Sequence, residues 1–114
     1  MKIVRNLTIP FEGYKAMTIW PFIFVRKDKE LNKVDENHEE IHGRQQIEML
    51  VIPFLMWYCF EYIVRLLCYG FKGKKAYKNI SFEQEAYVNE TDFNYIMKRK
   101  HYAWLKYLMR MTYN

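Results

Sequence analysis

Residues 35–50, DENHEEIHGRQQIEML, decide the fold expected of this chain of 114 residues. From Asp35 onward the pattern is that of a helix, because Asp35 or Asn37 can cap its start. Glu39 and Glu40 follow in the part of the helix where the helix dipole favours negative charge. We therefore predict a helix over about residues 36–50.

The most informative residues of this helix are two histidines. His38 and His42 are four residues apart, so they lie one turn apart on the same face and both imidazoles can reach one ion. Glu39 stands next to the first histidine, where a carboxylate can take a proton from a metal-bound water. Catalytic zinc sites combine three protein ligands with an open position for water. We therefore predict a Zn²⁺ ion bound by His38 and His42, with Glu39 as the catalytic base.

A third protein ligand is then required, and two parts of the chain can supply it. His101 lies in the basic run Lys98–His101, where a solvated helix face is the more common environment. The segment 81–87, SFEQEAY, can form a helix that carries a glutamate in its first turn and packs across the histidine helix. This second segment is the better candidate.

The N-terminal part of the chain has the composition of strands. Ala16–Arg26, AMTIWPFIFVR, is rich in β-branched and aromatic residues and is predicted to be a strand. Pro21 places it at a sheet edge or at a bulge, because proline cannot donate to a ladder. Lys27–Lys33 is a charged turn, after which Val34 is predicted to lie in a short returning strand. The prediction is one N-terminal β-hairpin.

After the histidine helix, Pro53 removes one helical hydrogen bond. It either kinks the helix or opens a second helix over about residues 53–69. Gly70 is expected to end this helix, as glycine commonly does at a helix C-terminus.

The C-terminal third is also expected to be helical. Ser81 and Gln84 have the spacing of a capping box, which predicts helices over 82–113 with a break near Thr91. The expected fold class is therefore mainly α (α+β), with one β-hairpin, in a single domain over 1–114.

The most apolar stretch of the chain is Met49–Phe60, which Glu61 and Arg65 follow directly. It falls short of the roughly 20 apolar residues that span a bilayer, so we expect at most a peripheral or partly inserted position in a membrane. Glu61 and Arg65 have the spacing of a helix ion pair. The aromatic residues predicted to be core are Phe54, Trp57, Tyr58, Phe60 and Tyr62.

Cysteine content and charge say little about chemistry. Cys59 and Cys68 are the only cysteines and are nine residues apart, which suits neither a redox pair nor a metal knuckle. We expect two buried free thiols in a reducing, cytoplasmic compartment. The formal net charge of +5 comes from lysines and arginines that are spread along the chain.

The combination of HExxH with a later Glu-x-x-Ala resembles the gluzincins, which include membrane prenyl-protein endopeptidases and peptidases that cleave phage-type repressors. In those families the glutamate three residues before the alanine is the zinc ligand. The resemblance therefore implies Glu83 as the third ligand, with Ala86 as the small residue that lets the helices approach and Glu85 as the reserve. Tyr87 stands where Asp or Asn is usual, so the hydrogen bond that orients a ligand histidine must come from elsewhere.

The whole chain is similar to a small bacterial family of zincin-like proteins of about this length. The shared features are Trp20-Pro21-Phe22, residues 37–46 with the pattern NHExIHxxQQ, and residues 80–87 with the pattern ISFExEAY. This resemblance implies a minimal zincin-like metallopeptidase domain that acts on a peptide or protein substrate. The resemblance does not imply a particular substrate.

Two other functions stay open. The chain could keep the zinc-binding fold as a binding or regulatory module without catalysis, or act as a basic, aromatic interaction protein at a membrane surface. Nucleic acid is not expected, because the sequence has no stacking platform or recognition-helix signature. The candidates for an oxyanion stabiliser are Tyr58, Tyr77 and Tyr87. The oligomeric state stays open.

Overall fold

The structure, a computed structural model, describes residues 1–8 and 14–110. Three strands come first in the described chain: β1 (Lys2–Asn6), β2 (Ala16–Ile19) and β3 (Phe22–Arg26). The helices that follow are α1 (Lys33–Met49), α2 (Val51–Cys68), α3 (Gly73–Lys78), α4 (Ser81–Asn89) and α5 (Tyr95–Lys98). A 3-10 helix, Ala103–Tyr107, is the last described element. The predicted fold class, mainly α with a small β component, is confirmed.

The three strands form one sheet in the order β1-β3-β2, with β1 parallel and β2 antiparallel to β3. The single strand predicted over Ala16–Arg26 is therefore two strands, and the chain turns between them at the cis Trp20–Pro21 peptide. A turn accepts proline because it does not need that backbone donor. The predicted returning strand at Val34 is wrong, since Val34 belongs to α1 and the second neighbour of β3 is β1.

Helix α1 begins earlier than predicted because Asn32 caps it. The Asn32 side chain accepts a hydrogen bond from the Asp35 backbone N–H at 2.8 Å. The Asp35 carboxylate accepts one in return from the Asn32 backbone N–H at 3.2 Å. This pair is a capping box in which Asp35 occupies the third helical position. The prediction that Asp35 or Asn37 is the cap is therefore wrong.

Helices α1 and α2 are separate. Leu50 lies between them with a positive φ of 67° and ψ of 147°, a backbone conformation that interrupts the helical path. Pro53 lies in the first turn of α2, where a backbone N–H has no helical acceptor and proline is tolerated. Of the two predicted alternatives, the second helix is therefore confirmed. Gly70 follows α2 with φ of 64°, as expected for a glycine after a helix end.

The inner face of α2 packs on α4 and on the C-terminal 3-10 helix. The ring centroids of Phe54 and Phe82 are 4.4 Å apart, and those of Phe82 and Trp104 are 4.6 Å apart. Together with Ile80 these residues form a buried apolar cluster. This cluster fixes α2 beside α4, the helix that carries the predicted third ligand.

Glu61 and Arg65 also face inward and are buried. The predicted ion pair is confirmed, with 3.2 Å between Arg65 Nη2 and Glu61 Oε2. Glu61 also accepts hydrogen bonds from the Ser81 backbone N–H and hydroxyl, and Arg65 donates to the Leu108 carbonyl at 2.6 Å. Because the Ser81 hydroxyl is used in this way, it does not cap α4, and the predicted capping box with Gln84 is wrong.

The outer face of α2 is apolar and exposed. Cys59 and Cys68 are both exposed, so the prediction that they are buried thiols is wrong. Among the aromatic residues predicted to be core, Phe54 is buried, but Trp57 and Phe60 are exposed.

Helix α2 also extends beyond the apolar stretch estimated from the sequence. By length and composition alone, its 18 residues are long and apolar enough to cross a membrane, with a mean hydropathy of 1.6. The sequence estimate ended at Phe60 because Glu61 and Arg65 come next. The structure turns both charges inward, so the apolar surface continues to Cys68.

The C-terminal region is less regular than the predicted helices over 82–113. Helix α4 ends at Asn89 and α5 begins at Tyr95, which confirms the predicted break near Thr91. Beyond α5 the chain forms only the 3-10 helix, and residues 111–114 lie outside the described part.

We predict that Glu61→Leu lowers the free energy of unfolding by about 3–5 kcal/mol, because it leaves the Arg65 guanidinium and the Ser81 N–H buried without their partner. Urea denaturation followed by circular dichroism measures this change. Glu30→Leu is the control, since Glu30 is an exposed residue before α1, and we expect it to change the free energy by less than about 0.5 kcal/mol. Equal effects of the two substitutions would contradict a structural role for the buried pair.

Candidate metal centre

Two helices, α1 and α4, bring the candidate ligands together. They pack through Ile41 and Ala86, which are both completely buried in one apolar cluster. The small side chain of Ala86 lets the two backbones approach closely. His38 and His42 on α1 and Glu83 on α4 then face one another in the protein interior.

Three side-chain atoms of these residues form a compact triangle. Glu83 Oε1 lies 3.0 Å from His38 Nε2 and 3.0 Å from His42 Nε2, and the two nitrogens are 3.2 Å apart. Ligand atoms about 2.0–2.1 Å from a tetrahedral zinc ion lie roughly 3.3 Å from one another. The triangle is therefore close to the size such an ion needs, and the three residues form a buried group that could hold a metal.

Gln45 orients the ring of His42. Its amide nitrogen donates to the Phe82 carbonyl at 3.1 Å and to Glu85 Oε1 at 2.9 Å, so its amide oxygen faces His42 Nδ1 at 2.8 Å. His42 Nδ1 must then carry the proton of the neutral ring. Its Nε2 is left with a lone pair that is directed into the triangle.

Glu90 orients the ring of His38 in a similar way. Its Oε2 lies 3.5 Å from His38 Nδ1, and a ring nitrogen beside a carboxylate carries its proton. The Nε2 lone pairs of both histidines and Glu83 Oε1 therefore converge on one point. Three acceptors in a buried site repel one another, and a cation between them removes that conflict. The residues of the triangle thus fit a metal ion.

The electrostatics of the site also favour positive charge at the triangle. Burial alone would lower the pKa of His38, but Glu83 and Glu90 raise it to about 10. Burial alone would raise the pKa of Glu83, but His42 and His38 hold it well below its ordinary value. Without a metal, the triangle holds a proton where it could hold a cation, and metal binding would release that proton.

Tyr58 holds the second oxygen of Glu83. Its hydroxyl donates to Glu83 Oε2 at 2.6 Å, so that Oε1 stays directed at the histidines. Burial, together with the negative charge of Glu83, raises the pKa of Tyr58 well above its ordinary value. Tyr58 therefore remains a hydrogen-bond donor, and its contact is with the predicted ligand rather than with a substrate.

The two other candidates for the third ligand lie elsewhere. Glu85 is completely buried, but its carboxylate accepts hydrogen bonds from Tyr95, Arg99 and Gln45 and is not one of the three groups of the triangle. His101 is on the surface, with 89% of its side chain exposed, and lies 3.4 Å from Glu48. The structure therefore brings Glu83, and neither of these residues, to the histidine pair.

Glu39 lies beside the triangle and faces open space. Together with His38 it lines a cavity of about 260 Å³. The Thr18 hydroxyl donates to Glu39 Oε1 at 2.7 Å and fixes the carboxylate in place. Burial raises the pKa of Glu39, an effect that His42 and His38 partly offset. A fixed carboxylate with access to a cavity is what a general base requires.

Two tyrosines complete the cavity wall next to His38. The Tyr87 ring packs edge-on against the His38 ring, with centroids 4.6 Å apart, and Tyr77 packs edge-on against Tyr87. Burial raises the pKa of both hydroxyls, so both stay protonated as donors. Of the three tyrosines predicted as candidates for an oxyanion stabiliser, these two line the cavity.

Sequence reasoning missed Gln45, Glu90 and Thr18. The contact of Gln45 with His42 could have been predicted from the sequence, because Gln45 follows His42 by three residues and so lies on the neighbouring turn of the same helix. Glu90 and Thr18 come from other elements, and only the packing of α4 and β2 on α1 brings them to the site. Glu90 and Gln45 provide the orienting contacts that Tyr87 cannot provide.

Comparisons with protein-family models, with curated proteins and with solved structures find no match to this chain. What the site can do therefore follows from its own residues.

We predict that Tyr58→Phe lowers zinc affinity by roughly tenfold, because it removes the hydrogen bond that directs Glu83 towards the histidines. Tyr95→Phe is the matched control, since it removes an equivalent hydrogen bond of 2.7 Å to Glu85 on the same helix. Competition with a chromophoric chelator measures the affinity. If Tyr95→Phe has the larger effect, the assignment of Glu83 as the ligand is wrong.

Proposed function

We propose that this protein is a zinc-dependent metallopeptidase of the gluzincin type, with His38, His42 and Glu83 as ligands and Glu39 as general base. The observation that carries the proposal is the position of Glu39, which Thr18 holds beside the ligand triangle at the cavity. A site that only stored a metal would have no need of a further buried carboxylate there, because burying one is costly. The resemblance of the two motifs to those of gluzincins supports the same function.

The residues of the site have separate roles in this mechanism. A zinc ion in the triangle would supply Lewis acidity to a water molecule and to the scissile carbonyl. Glu39 accepts the proton of the attacking water and returns it to the leaving amine as the C–N bond breaks. Tyr87, whose hydroxyl accepts a hydrogen bond from Tyr77, would donate to the carbonyl oxygen as it gains negative charge.

An extended peptide can reach the site along β2. The side chain of Gln46 bonds the Thr18 carbonyl at 2.7 Å and the Trp20 N–H at 2.6 Å, so these backbone groups face away from β3. The N–H and C=O groups of successive residues point to opposite sides of a strand, so those of Ala16, two residues before Thr18, also face away from β3. Ala16 lines the cavity. The substrate edge is therefore the Ala16 end of β2, since β3 is paired on both sides.

A cytoplasmic location suits this proposal. Cys59 and Cys68 are free thiols, and a reducing compartment keeps exposed cysteines unpaired.

The test of the proposed function is Glu39→Gln, which keeps the size of the side chain and removes the base. We expect peptide hydrolysis to fall by about 10²–10⁴-fold. Cleavage of a peptide library is followed by mass spectrometry, and zinc content is measured on the same samples. Bound zinc should be retained, because Glu39 is not a ligand.

The matched control is Glu40→Gln, which changes the adjacent carboxylate. Glu40 is half-exposed and lies 3.6 Å from the N-terminal amine, so hydrolysis should stay within about twofold of the unmodified protein. Unchanged hydrolysis by the zinc-bound Glu39→Gln protein would contradict the assignment of Glu39 as the general base. Zinc binding without any hydrolysis, in the unmodified protein, would indicate a binding or regulatory module instead.

A further inference from the structure

Helix α2 has its polar and apolar sides reversed relative to a helix on the surface of a globular domain. Such a helix normally turns its apolar stripe inward and its charges outward. In α2 both charged residues, Glu61 and Arg65, are buried, and Tyr58 also turns its hydroxyl to an interior partner. The outward side is left to apolar residues.

The exposed residues of α2 include no charged or amide side chain. Ile52, Met56, Phe60, Ile63 and Leu67 follow one another at spacings of three or four, so they form one stripe along the helix. Leu50 and Phe71, which flank α2, are 70% and 71% exposed and extend the stripe at both ends. We name these seven residues the α2 outer stripe. Contiguous apolar surface of this length marks an interaction site.

The charges near the outer stripe are basic. Between Glu48 and Glu83 the only acidic residue is Glu61, which is buried against Arg65. The basic residues that follow the stripe along the chain are Lys72, Lys74, Lys75 and Lys78. Lys74 and Lys78 line the cavity beside Glu39, which leaves Lys72 and Lys75 as the charges next to the stripe. This part of the surface therefore combines apolar side chains with positive charge.

The folded domain lies alongside the whole length of α2. Contacts occur near its start between Phe54 and Phe82, in its middle between Glu61 and Ser81, and near its end between Arg65 and Leu108. A helix that crossed a bilayer would carry these neighbours and their charged surface into hydrocarbon. Lipid can therefore meet the outer stripe only if the helix axis lies along the membrane surface.

We propose that the α2 outer stripe docks this protein on the surface of an anionic lipid bilayer. The apolar side chains enter the boundary between headgroups and acyl chains, and Lys72 and Lys75, which follow Phe71, meet lipid phosphates. A helix of 18 residues is about 27 Å long, so the contact covers much of one side of a domain whose longest dimension is 33 Å. A second copy of the chain would cover the apolar stripe, but its own segment between Glu48 and Glu83 offers no exposed carboxylate to the lysines.

Cys59 and Cys68 allow a specific measurement, because they are the only cysteines of the chain and both are exposed on α2. An environment-sensitive fluorophore is attached to Cys59 in a Cys68→Ser protein, and to Cys68 in a Cys59→Ser protein. Cys59 lies beside the stripe, whereas Cys68 is nine residues further on and therefore on the opposite side of the helix. Vesicles of phosphatidylcholine with phosphatidylglycerol should shift the emission of the Cys59 label to the blue, and bromolipids in the same vesicles should quench it. The Cys68 label should respond less in both measurements. Vesicles of phosphatidylcholine alone should bind more weakly.

The variant that tests the stripe is Met56→Glu/Ile63→Glu, in which both altered residues are exposed. We expect vesicle binding in a flotation assay to fall by roughly tenfold or more, since two charges would have to enter the interface. Val88→Glu/Met97→Glu is the matched control, because it makes the same change at exposed apolar residues of α4 and α5 and should leave binding unchanged. Circular dichroism checks that all variants are folded.

Two results would overturn the proposal. One is the absence of binding to the anionic vesicles. The other is a blue shift that grows with protein concentration and needs no vesicles, which would identify a second copy of the chain as the occupant. Vesicle binding is also measured with the metal-free protein and with the Glu39→Gln protein. Membrane docking should be retained in both, so a failure of this proposal can be distinguished from a failure of the proposed peptidase activity.

Discussion

The buried carboxylate of Glu83 joins three helices, and the arrangement of the whole site depends on it. Its Oε1 faces His38 and His42 on α1, its Oε2 accepts from Tyr58 on α2, and its backbone belongs to α4. A buried carboxylate is tolerated only where such partners surround it, because removing one from water is costly. The relative positions of α1, α2 and α4 are thus specified by the need to satisfy this one group.

The interior around Glu83 is polar to an unusual extent for so small a domain. Side chains that are at most 1% exposed include Asn79, Gln45, Gln46, Gln84 and Glu85. Each buried hydrogen bond adds only about 1 kcal/mol when made, but an unmade one costs about 1–3 kcal/mol. A network of this kind therefore contributes to a unique arrangement more than to total stability. One of its members, Gln45, also fixes the tautomer of the candidate ligand His42, which is what a metal site needs.

A feature of the fold or of the site could be predicted from the sequence where the contacts that determine it are local. The spacing of His38 and His42 is a property of one helix, so the helix and the shared face could be predicted from it. The choice of Glu83 over Glu85 rested on a resemblance, because both glutamates stand in one short segment. The inward turn of Glu61 and Arg65 could not be predicted, since most of α2 is apolar all round and periodicity does not then tell which face is buried. The partners that decide it belong to segments many residues later in the chain.

Helix α2 connects the two surfaces of the molecule that bear on function. Its inner face presents Tyr58 to Glu83, and its outer face is the exposed apolar stripe. A helix with its side chains is about 10 Å across, so whatever covers the stripe lies one helix diameter from the contact between Tyr58 and Glu83. Phe54 also packs the start of α2 on Phe82, the residue next to Glu83, so a shift of α2 would also displace Glu83. An occupant of the outer face that moved α2 would therefore change the triangle, because Tyr58 holds Glu83 on the side away from the histidines.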